Sequence, residues 1–178
     1  MIPREHIHEN KRSNRRIRTR TIVLAFTVRA MAYANATHAQ DEANVKAGLE
    51  VWKSSGCADC YGAFADGDKQ RDEAPTGANL RTTRLDAAAL KLAIGCGRPG
   101  GTGMPAFEEG AYKVRPCYDR PLGPAPDNLY PTPRTLTPDQ IDAVVAYLLA
   151  RIVGRGRITR AECLVHYEDQ DDPCEDFK

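Results

Sequence analysis

The sequence contains no apolar run long enough for an internal membrane helix. Such a span needs about 20 consecutive, mainly apolar residues, and the apolar stretch near the N-terminus is interrupted by Arg29. This argues against a polytopic membrane protein. The alternation of apolar and polar residues that is typical of strands is missing as well. The sequence therefore predicts an all-α fold with long loops.

Histidine and methionine are scarce. The chain has four histidines and three methionines, and only His166 and Met104 lie beyond residue 39. Because histidine is the usual general acid-base group near neutral pH, an enzyme that depends on an imidazole would have to use His166. This scarcity argues against an enzyme that needs a histidine acid-base group, and it singles out Met104 for closer inspection.

Positive charge is missing from most of the chain. Residues 1–39 carry eight basic and two acidic side chains, whereas the other 139 residues carry 17 basic and 22 acidic ones, a net charge of −5. A nucleic-acid-binding domain concentrates positive charge on its folded part. We therefore expect no nucleic-acid partner.

The basic N-terminal segment is followed by an apolar run at 21–28 and by small residues up to Ala36 and Ala39. This order is typical of a secretory signal peptide. We predict a signal peptide over residues 1–39, cleaved near Ala36 or Ala39, and a periplasmic mature chain. The alternative is an uncleaved anchor or a start codon assigned too far upstream. The rest divides into a domain at 40–154 and a polar extension at 155–178.

Three helices are predicted. Apolar residues at helical spacing indicate the first over 40–55. Asp86 is placed to cap a second helix over 87–94, which Gly95 and Gly97 would end. Thr137 begins a third helix with the pattern of a capping box, and Gly154 ends it. The apolar stripe of the third helix comprises Ile141, Val144, Val145, Leu148, Leu149 and Ile152. The segment 113–136 contains six prolines and is predicted to be a loop.

Cys57 and Cys60 form a C-x-x-C pair that is compatible with four kinds of site. A thioredoxin-like redox pair needs a preceding strand, and a zinc site needs further ligands such as Cys96, Cys117 or His166. A disulfide between the two cysteines would close only a very small loop. The fourth possibility is thioether attachment of haem, whose signature is C-x-x-C-H.

Residues 43–154 resemble a class I c-type cytochrome. The matching features occur in the same order: a helix with Trp52, then GCADCYG at 56–62, GANLRT at 77–82, a middle helix, GTGMPAF at 101–107, and a helix with Tyr147. The C-x-x-C pair alone is a weak signal, but its combination with M-P-A-F 44 residues after Cys60 is more specific. The resemblance implies a small helical domain that carries one haem c.

The resemblance also implies roles for individual residues. Cys57 and Cys60 would be the thioether anchors of the haem, and Met104 would be the distal ligand of its iron. The alternative for Met104 is a filler of the core. Trp52 and Tyr147 are expected to be core aromatics.

Tyr61 departs from the family, which has its proximal histidine at this position. Three outcomes are open. Tyr61 could bind iron as a phenolate, its length could leave an altered proximal site, or haem could never be attached. A His codon and a Tyr codon can differ by one nucleotide, so a recent variant is a further possibility.

The remaining cysteines are expected to form two disulfides. Cys96 and Cys117 flank Met104, and a bond between them would hold the methionine loop. Cys163 and Cys174 would link the C-terminal extension to itself. Disulfides of this kind persist in exported proteins.

The expected function is that of an exported electron carrier with covalent haem c and no enzymatic activity. Its partners would be redox proteins such as a periplasmic dehydrogenase or oxidase. The negative charge of the mature chain would favour docking to a basic face on such a partner. The main alternative is a haem-free module that binds a partner protein. A peroxidase-like enzyme is a weaker alternative.

Overall fold

The computed structural model describes residues 40–100, 103–168 and 172–177. The predicted signal peptide lies outside these residues. Their regular structure is helical, with only isolated β-bridges. The helices are α1 (40–54), α2 (Cys57–Tyr61), α3 (Ala87–Cys96), α4 (Pro138–Arg151) and α5 (Arg160–His166), with short 3-10 turns at Leu80–Thr82 and Asp172–Cys174. The prediction of a helical fold with long loops is confirmed at this level.

The helix starts agree closely with the sequence. The Asp86 carboxylate accepts a hydrogen bond from the Ala89 amide and begins α3. At α4 the Thr137 hydroxyl accepts from the Gln140 amide, and the Gln140 side chain accepts from the Thr137 amide, so the capping box is complete. Both caps satisfy amide groups that have no partner within the helix.

The helix ends are less well predicted. Gly95 does not stop α3, which continues to Cys96 and ends at Gly97. Helix α4 ends at Arg151, before the predicted stop at Gly154. Both differences concern the last turn, where the end depends on packing as well as on glycine.

Helices α1 and α4 cross with very little space between them. A Cβ atom added to Gly48 would lie 2.0 Å from the Ala143 carbonyl oxygen and 2.7 Å from the Tyr147 Cβ. The aromatic side chains near this crossing are buried, Trp52 being 2% and Tyr147 5% exposed. Their rings lie 6.4 Å apart, so the expectation that both are core residues is confirmed.

The C-terminal segment contains a helix that the sequence analysis missed. Helix α5 has a full capping box between Thr159 and Glu162. The guanidinium of Arg81, only 2% exposed, donates to both carboxylate oxygens of Glu162 and to the Gly156 carbonyl. On the same side, the Phe64 ring packs against His166, Tyr167 and Phe177. Helix α5 and Phe177 are therefore packed on the rest of the fold.

Both expected disulfides are present. Cys96 is bonded to Cys117 and Cys163 to Cys174, whereas Cys57 and Cys60 are free thiols. Within the described ranges, no helix has the length and apolar character needed to cross a bilayer.

Candidate functional site

An apolar cavity of about 240 Å³ lies between α2, α3, α4 and the loops that connect them. On the same measure one water molecule needs only about 10–15 Å³, so the space is sized for a larger, apolar guest. Cys57, Cys60, Tyr61 and Met104 all line it. Its apolar wall includes Trp52, Leu80, Leu85, Leu90, Ile94, Phe107, Leu136, Val144 and Leu148. The fold thus brings together all four site residues that the sequence singled out.

Helix α2 places three of these residues on one face. It begins after Gly56, whose left-handed backbone (φ 72°) turns the chain away from α1. Residues three and four positions apart in a helix are neighbours on its surface. Cys60 and Tyr61 therefore share a face with Cys57, and all three side chains are half-buried.

Burial keeps these groups neutral. It is the main cause that raises the pKa of Cys57 to about 12, and the neighbouring Cys60 adds to the effect. The pKa of Cys60 is also raised, mainly by burial and by Asp59. Burial, then the two cysteines, raises the pKa of Tyr61 to about 12. At neutral pH the chain therefore presents two thiols and an uncharged phenol.

Backbone hydrogen bonds fix the loop that carries Met104. The Arg98 amide donates to the Met104 carbonyl (3.0 Å), and the Phe107 amide donates to the Ile94 carbonyl at the end of α3 (3.0 Å). Ala106, two residues after the methionine, packs against the cluster around the Cys96–Cys117 disulfide. The loop is thus bound to the residue that follows Gly97 at Met104 itself, and to the end of α3 three residues later.

Tyr61 and Met104 touch directly. The Tyr61 hydroxyl donates a hydrogen bond to the Met104 Sδ at 3.2 Å. The tyrosine ring packs closely against the backbone of Gly77, where an added Cβ would lie 2.6 Å from the ring. The Trp52 ring, 6.1 Å away, packs from another side. The position of Tyr61 is therefore fixed by its surroundings as well as by the hydrogen bond.

Charged side chains among the cavity residues are few. Arg71 pairs with Asp59 at 3.3 Å. Arg98 also lines the cavity, close enough to Tyr61 to affect its pKa. Asp59 lines the cavity too, so its three charged side chains carry a net charge of +1, which suits a guest with an apolar body and an anionic substituent.

Three alternatives for the cysteine pair lose their support. Helical residues, not a strand, precede Cys57, and the pair does not form a disulfide. Cys96 and Cys117 are bonded to each other, while His166 packs against Phe64 in a different cluster. In the part of the chain that the structure describes, no group of three His, Cys, Asp or Glu side chains is placed to hold a metal ion.

The sequence analysis did not identify several residues of the site. Arg71, Arg98, Tyr130 and Pro133 line the cavity but come from loops without a periodic pattern. For Arg98 a signal existed, because it precedes the glycine-rich segment that contains Met104. Tyr130 and Pro133 could not be placed, since their loop has no regular structure to indicate where it packs.

The comparisons add no relative. No family model, no curated protein and no solved structure matches this chain.

Proposed function

We propose that this protein is an exported monohaem c-type cytochrome that carries single electrons between periplasmic redox partners. One observation carries the proposal: the thiols of Cys57 and Cys60 and the thioether of Met104 line the same apolar cavity. Met104 lies 44 residues after Cys60 in the sequence. A cluster of this kind is expected for thioether attachment and a soft axial ligand.

The donor set fits haem with one exception. The apolar wall, the free cysteines and the guanidinium groups of Arg71 and Arg98 match an apolar macrocycle with carboxylate substituents. The exception is the hydrogen bond between Tyr61 and Met104. An iron ion between these side chains would have to replace that bond, so one of them would have to move.

Each residue has a defined task in this proposal. Haem, when bound, supplies an iron that changes between the ferric and ferrous states. Cys57 and Cys60 hold the macrocycle through thioether bonds, and Met104 presents a soft donor that favours ferrous iron. Residues such as Leu90 and Phe107 exclude water, and burial of this kind is one of the ways in which a protein sets a haem potential. The net charge of −5 beyond residue 39 favours a basic partner through steering.

The test is to express the full sequence with its N-terminal segment in a host that matures c-type cytochromes. We expect cleavage near Ala36 or Ala39 by mass spectrometry of the periplasmic fraction, and a pyridine haemochrome spectrum with one covalent haem per chain. The variant Cys57→Ser/Cys60→Ser is the matched control and should contain none. A colourless wild-type protein that is correctly exported and folded would refute the electron-carrier proposal.

A second candidate is a haem-free module that binds a partner protein. It is favoured by the Tyr61–Met104 hydrogen bond, which satisfies the phenol within the chain. The same spectrum separates the two candidates, because this module would be colourless both as wild type and after Tyr61→His.

A further inference from the structure

We propose that the chain without attached haem binds one Cu(I) ion through the thiolates of Cys57 and Cys60 and the thioether of Met104. This goes beyond the proposed function, since haem attachment would consume both thiols. It assigns a use to the donor set before attachment, or in molecules that never receive haem.

The donors carry the first part of the argument. Two free thiols and one thioether line a single cavity. Soft sulfur ligands select Cu(I) over harder divalent ions. Tyr61 relates the two kinds of donor: it shares α2 with both cysteines, and its hydroxyl donates a hydrogen bond to the Met104 Sδ at 3.2 Å.

The number of donors carries the second part. Structural zinc sites use four protein ligands. In the described ranges there is no group of three His, Cys, Asp or Glu side chains arranged for a metal ion. Two cysteines with one methionine are too few for a zinc site, but they suit a soft monovalent ion of low coordination number.

The nearby charges carry the third part. Two thiolates and one Cu(I) ion have a net charge of −1. Arg71, which pairs with Asp59 at 3.3 Å, and Arg98 both line the cavity, so positive charge lies beside this anionic complex. Binding releases the two thiol protons to solvent and involves no change of oxidation state.

The experiment titrates the full, haem-free chain with Cu(I) under anaerobic conditions against a Cu(I) chelator. A native thiol assay first establishes that two thiols per chain are free, so that the disulfide cysteines do not contribute. We expect one Cu(I) per chain and an X-ray absorption spectrum with three sulfur neighbours. Less than half an equivalent bound, or a spectrum dominated by nitrogen or oxygen, would overturn the proposal.

Variants assign the donors. Cys57→Ser and Cys60→Ser should each weaken binding by at least about 100-fold, because even outer-shell partners of metal ligands cost about 10–100-fold. Met104→Leu preserves shape and should weaken it by about 10-fold. Circular dichroism and thermal unfolding show whether each variant is folded. Binding that is unchanged in folded Met104→Leu would exclude the third donor and so refute the site as proposed.

Tyr61→Phe tests whether the phenol itself takes part in binding. It keeps the ring but removes the hydroxyl that competes for the methionine sulfur. Since a net hydrogen bond contributes about 0.5–1.5 kcal/mol, affinity should stay equal or increase by up to about 10-fold. A clear loss of affinity would make the phenol a ligand and contradict the proposed donor set. A chain with covalently attached haem should bind no Cu(I) here.

Discussion

Tyr61 determines what the cavity can do. Its phenol is neutral at neutral pH, because burial raises its pKa to about 12, and its proton is used in the hydrogen bond to Met104. A phenolate ligand would have to release that proton to solvent when a cation binds. At the scale of this residue, the chain therefore presents an uncharged phenol whose proton is already shared with the methionine sulfur.

The first prediction is that Tyr61→His increases haem incorporation and raises the reduction potential. An imidazole is a neutral donor, whereas a phenolate stabilises ferric iron. Haem per chain is measured by the pyridine haemochrome spectrum, and the potential by redox titration. Tyr61→Phe is the control, since it loses the hydroxyl without adding a donor. If wild type carries one covalent haem and Tyr61→His changes neither quantity, position 61 is not at the iron.

At the scale of elements, the crossing of α1 and α4 depends on Gly48. An added Cβ would meet the Ala143 carbonyl oxygen at 2.0 Å and the Tyr147 Cβ at 2.7 Å. Both are atoms close to the backbone of α4, so they cannot rotate away and the helices would have to separate.

The second prediction is therefore that Gly48→Ala destabilises the protein. Alanine is favoured over glycine in a helix by about 1 kcal/mol, but overpacking costs about 1–3 kcal/mol or more, so we expect a net loss. It is measured as a lower denaturant midpoint with an unchanged m-value. Gly123→Ala is the control, because no atom lies within 4 Å of its added Cβ. Equal midpoints for the two variants would disprove the close crossing.

The third prediction is that the two disulfides contribute similarly to stability but differently to binding in the cavity. The cysteines of the pairs Cys96–Cys117 and Cys163–Cys174 are 21 and 11 positions apart in sequence, and for loops of this size the chain-entropy model gives about 3 kcal/mol each. Replacing either pair by alanine should therefore cost similar stability. Loss of the first pair should also weaken binding of a guest in the cavity, because Ala106 of the methionine loop packs against the cluster around the Cys96–Cys117 disulfide.

The measurement compares the Cu(I) affinity, or the haem content where haem is attached, of the two double variants with that of wild type. Loss of Cys163–Cys174 should leave these quantities unchanged, since that bond lies in the cluster around Phe64. If both double variants lowered the Cu(I) affinity or the haem content equally, global stability and not the methionine loop would control these quantities.

At the scale of the whole molecule, the C-terminal segment is linked to the cavity wall through Arg81. This side chain follows Leu80, which lines the cavity, and its guanidinium pairs with Glu162 of α5. Burial alone would raise the pKa of Glu162. The amide of Thr159, the guanidinium of Arg81 and the hydroxyl of Thr159 donate hydrogen bonds that lower it on balance. His166 has a lowered pKa because of burial and the nearby Lys53.

The fourth prediction is that acid destabilises the protein in two steps. The unfolded chain takes up a proton on His166 near its ordinary pKa of 6.5, so stability falls as the pH drops below that value. The contribution of Glu162 is complete above its ordinary 4.5 and is lost below it. The unfolding temperature is measured between pH 8 and 3. Its fall below pH 6.5, the upper step, should be smaller in His166→Phe. Its fall below pH 4.5, the lower step, should be smaller in Glu162→Gln. An upper step that is unchanged in His166→Phe would exclude this histidine as its cause.

Local patterns in the sequence determined the helix starts and singled out the candidate site residues. Asp86 and Thr137 cap their helices whatever the tertiary fold, because a cap needs only amides two or three residues away. The pairing of the four outer cysteines was also predicted correctly. Helix α5 could have been found in the same way, since Thr159 and Glu162 have the spacing of a capping box.

Only the tertiary structure decided how distant segments meet. Three features join residues that lie far apart in sequence. They are the burial of Arg81, the crossing at Gly48 and the hydrogen bond from Tyr61 to Met104. No local propensity encodes such contacts, because they arise when several elements together exclude water from one core. The sequence therefore determined that the chain carries two thiols, a thioether and a phenol, and packing decided that these groups line one cavity.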